Sequence, residues 1–251
     1  MRAVVLQSNY LPWKGYFDLI HECDVFIRYD EVNYTKNDWR NRNRIYSPNG
    51  LQWLTIPIPR ESVHLKISQV RIIDRYWQKK HLKAIRYAYE SAPYFVQLEP
   101  LLEEFYVRKT WESLTELNHD TIERISRLLG IHTRFLDSKD FELQGGRTSR
   151  LLDLLTKVGA DEYLTGPSAK EYLNPEEPLF RAKGIRITYK DYSGYPSYRQ
   201  QSRPFIHEVS ILDLLANIKL EEIGSYIWGW REEGQGPRQP SPTEGASVQR
   251  S

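Results

Sequence analysis

A chain of 251 residues can bury a sizeable core, which excludes disorder along most of its length. Its 35 Lys plus Arg against 33 Asp plus Glu leave a formal charge of +2, too even for a general nucleic-acid or membrane-surface binder. One cysteine rules out an internal disulfide and a thiolate-rich structural zinc site, and fits a reducing, cytoplasmic setting.

In chain order, residues 3–6 form a short buried strand, and Leu11-Pro12 opens a helix running to about Cys23 with Trp13, Phe17 and Ile20 at helical spacing. Val25-Phe26-Ile27 follows as a second strand. Strand, sharp connection, helix and strand make a βαβ unit, whose parallel strands bind ligands at their carboxyl ends. The stretch before Gln7-Ser8-Asn9 is too short for a signal peptide. No later run reaches the ~18 apolar residues of a spanning helix.

A β-hairpin is expected over residues 41–58, turning at Ser47-Pro48-Asn49-Gly50. Period two places Arg40, Arg42 and Arg44 on one face and Asn41, Asn43 and Ile45 on the other. Residues 76–130 read as a helical insertion. Its first helix carries Trp77, His81, Ile85 and Ala88 on one stripe, Pro93 ends that helix, Pro100 starts another, and Gly130 caps a third. Strand and helix then alternate again: an extended segment at 133–136, a helix at 151–158, strands at 163–165 and 185–189, and a last ordered element at 211–218 with an aromatic end at Tyr226, Trp228 and Trp230. The expectation is an α/β fold with a mixed, largely parallel sheet from two βαβ-like halves, forming one domain over residues 1–231. Residues 232–251, with three prolines, three glycines and little to bury, read as a disordered tail.

No phosphate-loop, dinucleotide or zinc-hydrolase spacing occurs, and neither a metal nor a cofactor is expected. Gln7, Tyr10, Pro12 and Trp13 form either a ligand-facing connection or a loop held by its own aromatic packing. Asp30, Lys36, Asn41, Arg42, Asn43 and Arg44 offer the mixed donors and acceptors suited to a nucleotide sugar, or else a solvated hairpin face. His81 is a general base if it borders a cleft and an ordinary core histidine if it does not. Cys23 sits on the apolar side of its helix, where burial would leave the thiol inert. The turn at Gly166-Pro167-Ser168 could hold an anion through its amides and the Ser168 hydroxyl, or be a simple helix cap. Tyr198 and Gln200 lie in an aromatic loop able to close over a ligand.

Together these segments resemble the WbqC-like protein family. The resemblance rests on Gln7 with Tyr10-Leu11-Pro12-Trp13, Asp24-Val25-Phe26 with Tyr29-Asp30, and Asn41-Arg42-Asn43-Arg44-Ile45. It continues through Trp53-Leu54, Trp77 to His81, Tyr163-Leu164-Thr165-Gly166, Ser168-Ala169-Lys170, Tyr198 with Gln200, and Ser210-Ile211-Leu212-Asp213. It implies a bacterial cytoplasmic protein whose relatives occur among genes for surface-polysaccharide and sugar biosynthesis. Two departures are visible. Ser8 stands where the family has proline, and Cys23 stands where a small residue such as alanine is usual, which argues against a thiol nucleophile.

The resulting expectation is a transferase that moves an acyl or aminoacyl group to an amino sugar. His81 or Asp30 would take the amine proton, Arg42 and Arg44 would hold phosphate, and Tyr10, Trp13 and Tyr198 would contact the sugar or base. Asn41, Asn43 and the amides after Gly166 would face a developing oxyanion. Its partners would be a small-molecule substrate such as a nucleotide sugar and an acyl donor or acyl carrier, with no nucleic acid or membrane involved. The oligomeric state stays open. A nucleotidyltransferase and a non-catalytic scaffold of polysaccharide assembly are the alternatives.

Overall fold

A computed structural model describes residues 1–229. Strands β1 (Arg2–Leu6) and β2 (Val25–Arg28) are joined by helix α1 (Lys14–Glu22) as the expected βαβ unit. The hairpin strands β3 (Arg42–Ser47) and β4 (Gly50–Thr55) come next, followed by the helices α2 (Tyr76–Tyr89), α3 (Glu99–Glu103) and α4 (Leu114–Leu128). Strand β5 (Arg134–Asp137), helix α5 (Arg147–Lys157) and strand β6 (Glu162–Thr165) resume the alternation. Two short helices, α6 (Lys170–Leu173) and α7 (Glu177–Ala182), lead to β7 (Arg186–Tyr189), and α8 (Ile211–Asn217) closes the fold. The tail expected over 232–251 and the aromatic Trp230 lie outside the described residues.

The main sheet has the order β5-β2-β1-β6-β7, and each of its pairings is parallel. The hairpin does not join it and pairs only with itself, in register from Arg42 opposite Thr55 to Ser47 opposite Gly50. Strand direction therefore runs outward from β1 on both sides, and the order reverses between β1 and β6. In doubly wound folds such a reversal opens a crevice beyond the carboxyl ends of the strands.

Alternation along the strands divides the core in two. Val4, Phe26 and Leu164 point to the face that carries α1, the hairpin, the inserted helices and α8. Ala3, Val5, Val25, Ile27 and Tyr163 point to the opposite face, against α5 and the α6–α7 segment. β2 is covered on both sides and buried throughout, with Val25, Phe26 and Ile27 apolar and the buried Arg28 held in ion pairs. The α2 stripe falls as its spacing requires, with Trp77, His81, Ile85 and Ala88 buried. Cys23 is buried as well, its thiol donating to the Ile20 carbonyl at 3.4 Å, and burial pushes its pKa well above the usual thiol range. Among the described residues no helix is long and apolar enough to cross a membrane.

The helix expected from Leu11-Pro12 begins only at Lys14, because Leu11 has φ +42° and Trp13 is extended. A branched side chain in the left-handed region is strained by about 1–2 kcal/mol. Here the strain is held by Asn43, whose amide nitrogen donates to the carbonyls of Tyr10 (3.1 Å) and Leu11 (2.7 Å). Its oxygen accepts from the Arg44 amide at 2.7 Å, so the buried Asn43 side chain is fully used. Asn43→Ala leaves these backbone groups unpaired, and urea unfolding is expected to show a loss of about 2–4 kcal/mol; an unchanged midpoint would show that the bracket contributes nothing.

Candidate functional site

The crevice at the strand reversal is a cleft of about 880 Å³. Its floor is the carboxyl ends of β1 and β6, with Leu6, Gln7, Tyr163 and Thr165. One wall comes from the segment after β2 and the approach to the hairpin, with Tyr29, Glu31, Asp38, Trp39 and Arg40. The opposite wall is the first turn of α5 and the turn after β6, with Arg147, Thr148, Arg150, Gly166, Ser168 and Tyr172. Trp39 and Asn9 also border a smaller cavity of about 250 Å³ shared with Pro12, Trp13, Asn43 and Glu208.

The residues after β1 are fixed by buried polar contacts. Asp30 is buried and accepts the Ser8 amide at 2.8 Å and His119 Nε2 at 2.8 Å. Burial raises its pKa, but the His119 hydrogen bond and charge and the Ser8 donors outweigh that and hold the carboxyl below its ordinary range. Nδ1 of His119 lies 3.5 Å from Asp137, which is clamped in turn by Arg28 at 2.8 Å. A proline at position 8 would have no N–H for Asp30, so this contact depends on Ser8 being there. Asn118 donates to both the Ser8 hydroxyl (3.3 Å) and the Arg40 carbonyl (2.9 Å), tying the β1 connection to the hairpin approach.

Arg40 is buried and reaches into the connection, donating to Gln7 Oε1 at 3.2 Å and to Asn9 Oδ1, with Asp38 at 3.3 Å. Its charge is one of the causes that keep the Asp38 pKa below the carboxylate range against the effect of burial. Glu31 is likewise held down, with burial opposed by Ser68 and by Lys66 at 2.9 Å. Both carboxylates are therefore anions at neutral pH, suited to orienting a ligand amine or hydroxyl more than to taking its proton.

The structure brings only part of the expected site together. Gln7, Gly166 and Ser168 line the cleft, and Trp13 and Asn43 border the smaller cavity. The other residues are placed elsewhere, so the expected convergence of residues 41–44, His81 and the Gly166 turn on one cleft is corrected. Asn41 is buried and spent on Tyr34 and the Ile56 carbonyl, each at 2.8 Å. The three guanidiniums do not all share a surface: Arg42 and Arg44 both lie over the Trp53 ring, at 4.3 and 5.7 Å, whereas Arg40 turns inward to Gln7 and Asn9. Lys36 is exposed on the loop before the hairpin. Tyr198 and Gln200 do not close over the cleft; they grip the buried Asp213 carboxylate at 2.7 and 2.8 Å, and burial pushes that carboxyl up to about 6.

Tyr10 and His81 belong to the core. The imidazole is buried between Trp77, Tyr10 and Tyr106, with Nδ1 2.9 Å from the Tyr10 hydroxyl and Nε2 3.2 Å from the Thr55 carbonyl. A carbonyl only accepts, so Nε2 carries the proton and Nδ1 accepts from Tyr10. Both nitrogens are occupied. Sequence reasoning missed Asn9, Trp39, Arg147, Thr148 and Arg150 at the cleft, and His119 behind it. Among the described residues no group of three His, Cys, Asp or Glu side chains could hold a metal ion.

A parallel sheet covered on both faces, with a polar, aromatic-edged crevice at its strand reversal, defines an α/β protein of the doubly wound kind. Within that class, the chain belongs to the WbqC-like protein family, whose profile matches residues 7–224. It is similar to the uncharacterized protein Rv1507c of Mycobacterium tuberculosis (strain ATCC 25618 / H37Rv), 42% identical over 221 residues, covering 88% of this chain and 95% of that relative. No solved structure matches it.

Burial lowers the His81 pKa from 6.5 to about 4, so the unfolded chain binds a proton that the native one refuses. The stability tied to a neutral His81 is complete above about pH 6.5 and fades as the pH falls toward about 4, by roughly 3 kcal/mol. Urea titrations across this window should give a flatter profile for His81→Gln, which can still donate and accept; an identical slope would mean that another group governs the transition.

Proposed function

We propose that the protein is a sugar-modifying transferase of bacterial surface-polysaccharide or sugar biosynthesis that works in the strand-reversal cleft. The observation that carries this reading is the cleft lining: side-chain amides and hydroxyls on Gln7, Asn9, Thr165 and Ser168 alternate with the aromatic rings of Tyr29, Trp39 and Tyr172. Amides and hydroxyls match the ring hydroxyls of a sugar, and aromatic faces match its C–H surfaces. The volume suits a sugar extended by an activating group, and the biosynthetic setting is proposed from what the WbqC-like resemblance implies. Glu31 and Asp38 would orient the amine of an amino-sugar acceptor, whose nitrogen bonds to the acyl carbon as that carbon's bond to the donor breaks, the amine proton leaving with the departing donor group.

One observation favours a second reading, binding without turnover. The general bases expected from the sequence, His81 and Asp30, are buried in structural contacts, and the cleft carboxylates are firmly ionised. Incubation of the full chain with nucleotide-linked amino sugars and acyl or aminoacyl donors, followed by mass spectrometry, separates the two. The transferase reading requires a product of added acyl mass, with kcat/KM lowered about three- to tenfold in Gln7→Ala or Ser168→Ala. Thermal stabilisation by the sugars with no product from any donor would establish the binding role instead.

A further inference from the structure

Two arginines of the cleft stand apart from the other guanidiniums around it. Arg28 is paired with Glu123 and Asp137, and Arg40 with Asp38. Arg147 and Arg150 both line the cleft, yet among the described residues neither makes an ion pair. They are three residues apart in α5 and so share a helix face, where like charges repel until a counter-charge arrives.

Arg147 is also prearranged. Its guanidinium lies 4.1 Å from the centroid of the Tyr172 ring, a cation–π contact that restrains the side chain without using its hydrogen-bonding edge. The hydroxyls of Thr148, between the two arginines, and of Ser168, on the turn after β6, border the same space. The α5 turn is set in place by Gly145, which has φ +88° and stands so close to Ser149 that an added Cβ would come within 2.6 Å of that side chain.

The geometry points to a phosphate-holding subsite made by Arg147, Thr148 and Arg150, with Ser168, which takes the monophosphate or diphosphate of an activated sugar. The assignment rests on the cleft being the sugar site and adds the chemical class of the activating group. Two adjacent planar forks carry two positive charges and up to four directed N–H pairs, which suits a multiply charged phosphate group better than a single carboxylate. Arg42 and Arg44, the phosphate binders expected from the sequence, lie over Trp53, with Arg44 also donating to the Glu208 carbonyl before α8, and neither lines the cleft.

The test is calorimetric titration of the full chain with inorganic pyrophosphate at low and raised salt. The wild type should bind, more weakly as salt rises, because exposed arginines are screened. Arg147→Ala combined with Arg150→Ala should weaken binding at least about tenfold, and Arg147→Lys should fall between, keeping charge but losing the fork. Arg42→Ala with Arg44→Ala should bind as the wild type does. Melting curves of each variant separate lost binding from lost folding. The subsite is overturned if the wild type fails to bind at about 10 mM pyrophosphate, if the α5 double variant binds normally, or if the hairpin variant is the one that loses affinity. Pyrophosphate binding through α5 with no sugar turnover would leave the subsite standing and remove the transferase reading, whereas turnover indifferent to both α5 arginines would do the reverse.

Discussion

The fold turns on a backbone reversal that an L-residue resists. Leu11 occupies left-handed space in the connection between β1 and α1, and the buried Asn43 side chain holds it there by capping two successive carbonyls. The same reversal sends Gln7 and Asn9 to the cleft, buries Tyr10 against α2 and sets Pro12 and Trp13 at the start of α1. An asparagine amide suits this task, because it can satisfy two carbonyls and a following N–H at once without a charge to desolvate.

Around that reversal the protein places its charges in two distinct settings. Behind the sheet ends, Asp30, His119, Asp137, Arg28 and Glu123 form a continuous chain of polar contacts in which carboxylates are interleaved with nitrogen bases. Such a network fixes geometry more than it adds net stability, since desolvation cancels much of the Coulomb gain. At the cleft, by contrast, the α5 arginines make no ion pair among the described residues. Compensation where shape matters and its absence at the proposed phosphate subsite is the pattern expected of a preorganised anion site.

The regular elements were legible in the sequence wherever period and burial coincide. Val4, Val25 and Phe26 announce two-sided strands, and Trp77, His81, Ile85 and Ala88 announce the buried face of α2. The cleft was legible only where it touches a strand end, at Gln7 and at Gly166-Ser168. The α5 arginines escaped because the apolar pattern begins at Leu151, four residues after the helix does, and Arg147-Thr148-Ser149-Arg150 reads as loop. Asn41, Asn43, Tyr198 and Gln200 misled for the opposite reason: a polar side chain near a candidate site looks the same in sequence whether it faces a ligand or a buried carbonyl or carboxylate. His119 gave no signal at all, since its partner Asp30 lies 89 positions away.

The lone cysteine has a practical corollary. With Cys23 sealed beneath α1 and its thiol held protonated by burial, the native fold offers alkylating and maleimide reagents nothing to react with. A cysteine introduced on the rim of the cleft would become the one addressable thiol of the described fold. A fluorophore or spin label could then be attached there without first engineering the natural residue away.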